Sequence, residues 1–268
     1  MIVSLLTDYG HEDDFVGVVH GVIAGIAPGV RVIDISHGMP SYGVQRGALV
    51  LARSLPYLPA GVHVAVVDPQ VGTERRGLAL RCADEERLLV GPDNGLLSLA
   101  WQQFGGVVEA VDITRSPHRL EPVSATFHGR DLFAPVAAHL AAGAELAEAG
   151  DPVEPDELQT IELPEPRIED GALVAHVLSL DRYGNAALNV GHELLAGTGL
   201  TLGRTVELEV GGDGRTATFT QTFADVPSGG VLVYEDAYRS LAVAVNRGDA
   251  AAELGLEPGD EVRLRPES

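Results

Sequence analysis

Short apolar runs alternate with segments of helical periodicity through the first 142 residues, and this alternation restricts the fold more than any other feature of the chain. Residues 2–6 read as a strand. Residues 14–27 then set Phe15, Val18, Val19, Val22, Ile23 and Ile26 on one helical face, which Pro28-Gly29 ends. Strands at 31–35, 62–67, 77–82, 87–90 and 107–113 continue the series, with helices at 44–55, near 96–104 and at 131–142. Asp131 stands where it would cap the last helix. This βαβα order predicts an α/β N-terminal domain with a mostly parallel central sheet flanked by helices.

The pattern changes after residue 150. Residues 151–168 are proline-rich and acidic, the composition of a linker. Strand-like runs follow at 172–180, 206–210, 216–222, 231–234, 240–245 and 261–264, and Gly211-Gly212-Asp213-Gly214 has the chemistry of a hairpin turn. The expected division is an α/β domain over 1–150, a linker over 151–168 and a smaller antiparallel, barrel-like β domain over 169–268.

A formal charge of −21 argues against nucleic acid and against anionic membrane surfaces as partners. All eighteen basic side chains are Arg, so no lysine nucleophile, Schiff base or P-loop lysine exists. The single Cys82 forms no intrachain disulfide and reads as an inert core thiol. The opening residues lack a basic leader and run straight into Thr7-Asp8, which fits a first strand and not a signal peptide. No apolar run has the length of a membrane span, and the expected location is the cytoplasm.

Asp8, Asp34 and Asp68 fall at or just after predicted strand ends. Asp68 opens Asp68-Pro69-Gln70-Val71-Gly72-Thr73-Glu74-Arg75, where Gly72 lets a short loop turn Arg75 back toward it. Such a pair either locks a loop or holds a polar reactant at the carboxyl edge of the sheet, where open α/β folds bind ligands. Asp8 opens Thr7-Asp8-Tyr9-Gly10-His11-Glu12-Asp13-Asp14, for which three readings stand. Asp13 or Asp14 caps the following helix; a carboxylate grips two adjacent ribose hydroxyls; or the acidic cluster binds a divalent metal. The third is similar to the calcium-binding motif of nucleoside hydrolases, from which Leu6, Tyr9 and the spacing depart. His128, in Thr126-Phe127-His128-Gly129-Arg130-Asp131, is either a surface or capping group or a proton acceptor near neutral pH. The other histidines, His11, His20, His37, His63, His118, His139, His176 and His192, show no metal-ligand spacing. No metal or cofactor is expected. Asp181-Arg182-Tyr183-Gly184-Asn185 suits a nucleoside bearing an amino acid: a carboxylate for the ammonium, an aromatic face for stacking and an amide for a purine edge.

Six motifs in order resemble the S-adenosylmethionine hydroxide adenosyltransferase family, the hydrolase relatives of fluorinase and chlorinase. They are Thr7-Asp8-Tyr9-Gly10, Ser36-His37-Gly38-Met39, the 68–75 loop, the 126–131 segment, the 181–185 turn and Ala244-Val245-Asn246-Arg247-Gly248. The resemblance implies a homotrimer whose active sites lie between the N-terminal domain of one subunit and the C-terminal domain of the next. It also implies attack of water on C5′ of S-adenosylmethionine, releasing adenosine and methionine. Asp68, Arg75 and His128 match the hydrolase triad, whereas the halogenases carry an aromatic residue where Asp68 stands. By the same match Asp8 holds the ribose hydroxyls, Asp13 and Asp181 the amino-acid end, and Asn185 the adenine. Tyr42, Phe127, Tyr183 and Phe223 are expected as apolar walls, with Gly129 and Asn246 also lining the substrate. A sulfonium needs no acid to leave, so the triad's task is to place water in line and take up its proton. One departure stands out. Tyr234-Glu235-Asp236-Ala237-Tyr238-Arg239 lacks the hydroxyl expected near the methionine carboxylate, leaving backbone N–H groups or Arg239 to substitute. The alternatives are a halide-using relative and a non-catalytic adenosine or S-adenosylmethionine sensor.

Overall fold

Burial on both faces explains the unbroken apolar runs of the first sheet. In the unit Met1–Ile161 the elements are β1 (Ile2–Thr7), α1 (Phe15–Ile26), β2 (Arg31–Ser36), α2 (Val44–Ser54), β3 (Val62–Val66), β4 (Gly77–Cys82), β5 (Leu88–Pro92), α3 (Ser98–Gln103), β6 (Val107–Asp112), α4 (Ala134–Ala141) and β7 (Asp151–Pro152). The structure is a computed structural model and describes residues 1–267. Strand order is β2-β1-β3-β5-β4-β6-β7. Val3, Leu5, Val64 and Val90 pack with Val19 and Ile23 of α1 and with α4 on one face. Leu6, Ala65 and Leu89 pack with Leu51 of α2 and Trp101 of α3 on the other. Strands covered on both faces carry near-continuous hydrophobic sequence.

The sheet is mixed. β2, β1, β3 and β5 run parallel, whereas β4 is antiparallel to β5 and β6, and β6 to β7. Residues 83–87, which join β4 to β5, are too few for a crossover, so that pair closes as a hairpin.

From Glu162 onward a second unit forms. It contains β8 (Arg167–Glu169), β9 (Ala172–Leu180), β10 (Ala186–Gly191), α5 (His192–Leu195), β11 (Thr205–Val210), β12 (Asp213–Phe219), β13 (Val231–Glu235), β14 (Ser240–Val245), α6 (Ala250–Leu254) and β15 (Glu261–Pro266). The order β10-β14-β13-β12-β11-β15-β9 is closed by pairing of β9 with β10, and β8 extends the same edge of β9. Gly211 and Gly212 adopt φ of 58° and 90° between β11 and β12, the left-handed pair a tight hairpin requires. The barrel is not purely antiparallel as expected: Thr218 and Phe219 pair in parallel with Leu232 and Val233. The connection from 220 to 230, which includes a single helical turn at Phe223–Asp225, is long enough to return the chain in the same direction.

The boundary between Ile161 and Glu162 falls within the proline-rich stretch 151–168. Residues before it pack on the first unit, with Leu158 in its core and the N–H groups of Gln159 and Ile161 donating to Asp93 and Ser98. Among the described residues no helix is long and apolar enough to cross a membrane.

Candidate active site

Two neighbouring parallel strands deliver the central carboxylates. Thr7 of β1 pairs with Val66 of β3, so Asp8 and Asp68 emerge side by side at the carboxyl edge of the sheet. The N–H of Asp8 donates to the Val66 carbonyl at 3.3 Å, and the Asp8 carboxylate accepts from the Tyr42 N–H at 3.3 Å. Partial burial raises the Asp8 pKa above its ordinary value, the Tyr42 N–H opposes this, and the Asp68 charge adds to it.

Gly72, at φ +79°, reverses the loop after β3, and a side chain there would run into the Ala125 carbonyl. The reversal brings Arg75 back onto Asp68 in a bidentate pair, its Nε 3.2 Å from Oδ1 and its Nη2 bonded to Oδ2. Nη2 also donates to His128 Nδ1 at 3.2 Å, and Nη1 to the Arg76 carbonyl at 3.0 Å. The Arg75 and Asp68 side chains are only 3% and 5% exposed. A pair buried this far adds little net stability over an apolar substitute. Burial, then the Arg75 charge, press His128 below the ordinary histidine value. The ring therefore stays neutral with Nδ1 accepting, because a guanidinium has only donors to offer.

Phe133, near 5.4 Å below the Arg75 guanidinium, shields the triad from within. Tyr9, Phe15 and Phe127 form an aromatic cluster with centroids 5.0 to 5.8 Å apart. Gly129 is buried against this cluster, and a side chain there would collide with the Tyr9 hydroxyl. Burial, reinforced by Asp8 and Asp68, drives the Tyr9 phenol far above its ordinary value. Sequence reasoning did not single out Tyr9, although it sits inside the Thr7-Asp8-Tyr9-Gly10 motif.

The first unit thus gathers Asp8, Asp68, Arg75, Phe127, His128 and Gly129, with Tyr42, 72% exposed, attached through its backbone. Asp13 is exposed. Asp14, at the cap position of α1, makes no side-chain cap bond, because its αR backbone aims the carboxylate away from the first turn. Asp131 is likewise no cap. It lies inside a π-turn, Gly129–Phe133, and accepts from the Ser124 N–H and from Arg130.

In the second unit Asp181 organises its own turn. Its carboxylate accepts from the Tyr183 and Asn185 N–H groups at 2.8 and 3.0 Å and from Asn185 Nδ2 at 2.8 Å. Gly184, at φ +79°, leaves no room for a side chain beside Asp249, which caps α6. Phe223 packs 5.0 Å from Tyr234, whose phenol is pushed up to about 12 by burial and by the Asp181 and Asp236 charges. Asn246 donates to the Val226 carbonyl at 2.7 Å and so braces the turn that follows Phe223. Tyr183 is 67% exposed. Cys82 is buried and its thiol is pushed up to about 12, which fits an inert core role.

The fold and site define a two-unit protein with a buried Asp–Arg pair and a half-buried histidine at the carboxyl edge of a doubly covered sheet. The chain belongs to the SAM hydroxide adenosyltransferase family: the family's N-terminal domain matches residues 3–150 and its C-terminal domain residues 175–263. It is 49% identical to the (R)-S-adenosyl-L-methionine hydrolase of Salinispora tropica over 98% of this chain and 97% of that one. Identity to the enzyme of the same name from Thermus thermophilus is 40% over 98% of each chain. A fluorinase from Actinoplanes is 29% identical, covering 96% of this chain and 95% of its own. The crystal structure of an uncharacterized conserved protein from Thermotoga maritima superposes with a TM-score of 0.91 at 34% identity, over 99% of this chain and 100% of that one.

Proposed function

We propose that the chain hydrolyses S-adenosyl-L-methionine to adenosine and L-methionine. The observation that carries this is the Asp68–Arg75–His128 group beside Asp8, with Arg75 hydrogen-bonded to both partners, in a chain so similar to the named hydrolases. Water held by the group attacks C5′; the C5′–S bond breaks, its electron pair goes to sulfur, and methionine leaves neutral at that atom. Arg75 orients the carboxylate and commits His128 Nδ1 as an acceptor, so His128 presents Nε2–H to the water as a donor. Asp68 keeps unused lone pairs and accepts the water's proton as the O–C bond forms. Asp8 takes the ribose hydroxyls. The Asp181 turn, Asn185, Tyr183, Phe223 and Asn246 supply the amino-acid and adenine contacts, with Asp13 at the amino-acid end. No metal or other cofactor enters the reaction, because a sulfonium leaves without Lewis-acid help.

The functional assembly in this reading is a homotrimer with shared sites in the cytoplasm. The exposure of Tyr42 and Tyr183 in the single chain supports a second subunit covering them. An Asp8→Ala subunit mixed and reassembled with an Asn185→Ala subunit recovers activity if each site draws one residue from each chain.

The test is incubation with S-adenosylmethionine in ¹⁸O-water. Label in the adenosine 5′-hydroxyl with free methionine is the expected outcome. Free adenine, a 5′-halogenated nucleoside in the presence of halide, or binding without turnover would each replace the proposal with a different one.

A further inference from the structure

Away from the triad, on the edge strand of the first sheet, three side chains converge that the reaction does not use. His20 on α1 sets Nε2 2.9 Å from Asp34 Oδ1 on β2, and His37 Nε2 stands 3.1 Å from the same oxygen. The three donor atoms lie within 4.8 Å of one another. Residues three apart on a regular strand face opposite ways. Here β2 carries an irregularity, Leu5 pairing with Asp34 but Leu6 with Ser36, and the extra residue lets Asp34 and His37 converge.

We propose that His20, Asp34 and His37 form a binding site for a divalent first-row transition ion of the zinc class, with a coordination position left open to solvent. Two imidazole nitrogens and one carboxylate oxygen are the donors such ions favour. Tetrahedral bonds of about 2.0–2.1 Å put donors about 3.3 Å apart, so the present 2.9 and 3.1 Å open slightly and the two imidazole nitrogens, within 4.8 Å of each other, settle to the same spacing. His37 is 1% exposed, and its buried Nε2 faces the Asp34 carboxylate, so the imidazole nitrogen is aimed into the site. The other ring atom is fixed: His37 Nδ1 sits 2.8 Å from Thr7 Oγ1, the outer contact that orients metal-binding histidines. The side chains of His20 and Asp34 are 35% and 41% exposed, which gives the ion access.

The site ties α1, β2 and the end of β1, and no triad residue belongs to it. Titration of the metal-free protein with Co²⁺ reads it directly, through visible d–d bands and equilibrium dialysis, independently of turnover. One ion per chain, displaced by Zn²⁺, is expected. His20→Ala and Asp34→Asn each weaken binding at least about 10-fold, and Thr7→Val by roughly 10-fold through the lost outer contact. His20 is partly exposed, so its variant folds even where a His37 variant does not. Absence of Co²⁺ bands, or bands unchanged in both His20→Ala and Asp34→Asn, would overturn the assignment.

Discussion

Nη2 of Arg75 lies 3.2 Å from Nδ1 of His128, and that contact determines which nitrogen of the imidazole holds hydrogen. Arginine only donates, so Nδ1 accepts and Nε2 carries the proton. The same Nη2 also reaches Asp68, which makes the arginine the hinge of the group. A histidine so placed steadies water as a donor and leaves proton removal to the carboxylate.

That assignment separates two variants. Asp68→Asn lowers single-turnover rate by about 10²–10⁴-fold while adenosine affinity changes little. His128→Ala costs less, and His128→Gln, which restores a donor near Nε2, recovers part of the loss. Single-turnover kinetics beside isothermal titration with adenosine read both quantities, and the Asp68→Asn His128→Ala pair costs less than the sum of the singles. Equal losses for Asp68→Asn and His128→Ala, with no rescue by Gln, would make the imidazole the base.

Asp8 links substrate affinity to pH. Its folded pKa is raised, chiefly by burial, so protonation begins above the ordinary carboxylate range of about 4. The ionised form grips ribose hydroxyls, and adenosine affinity therefore declines on acidification from a higher pH than an exposed aspartate would give. Stability follows the opposite sign. The folded state binds this proton more tightly than the unfolded chain, so the carboxylate costs stability at neutral pH and the cost disappears as pH falls. Asp8→Asn should melt no lower than the parent at pH 7 while losing adenosine affinity and its pH dependence.

His63 supplies an acid-sensitive element of the core. It is fully buried, Arg87 donates to its Nε2 at 3.1 Å, and its Nδ1–H faces Ser4 Oγ at 2.8 Å. Burial, then the Arg87 charge, lowers its pKa to about 3 from 6.5. The unfolded chain takes up the proton first, so stability is full above 6.5 and declines as pH drops toward 3. Between pH 7 and pH 5 the loss from this residue is about 2 kcal/mol. Urea denaturation of parent and His63→Gln at the two values tests it, and an unchanged slope in the variant would remove His63 as the cause.

Gly129 and Tyr9 should behave as a coupled pair. Gly129→Ala forces its methyl group into the Tyr9 hydroxyl and costs about 1–3 kcal/mol. Tyr9→Phe removes the oxygen and relieves part of the strain, so the double variant is destabilised by less than the sum of the two singles. Thermal melting of all four proteins measures the coupling; simple additivity would place the strain elsewhere.

The alternating order from β1 to α4 and the strand-end positions of Asp8 and Asp68 were legible in the residues, whereas β10, which closes the barrel against β9 and β14, was not read as a strand. Periodicity is a local property, set by neighbours within a few positions, and survives without knowledge of the packing. The Asp68–Arg75 pair was legible for the same reason, since the seven-residue separation and Gly72 leave few ways to close the loop. His128 was named through motif resemblance, but its bond to Arg75 spans 53 positions and exists only once α4 packs on the sheet. Alternating burial looks alike in parallel and antiparallel strands, so the β4–β5 hairpin and the parallel β12–β13 pair required the tertiary structure. The cluster of His20, Asp34 and His37 shows the limit most clearly. Its members have no ligand spacing along the chain, and only the irregularity in β2 and the packing of α1 beside it bring their donor atoms together. Local propensity thus determined what the elements are, and long-range packing decided which side chains meet.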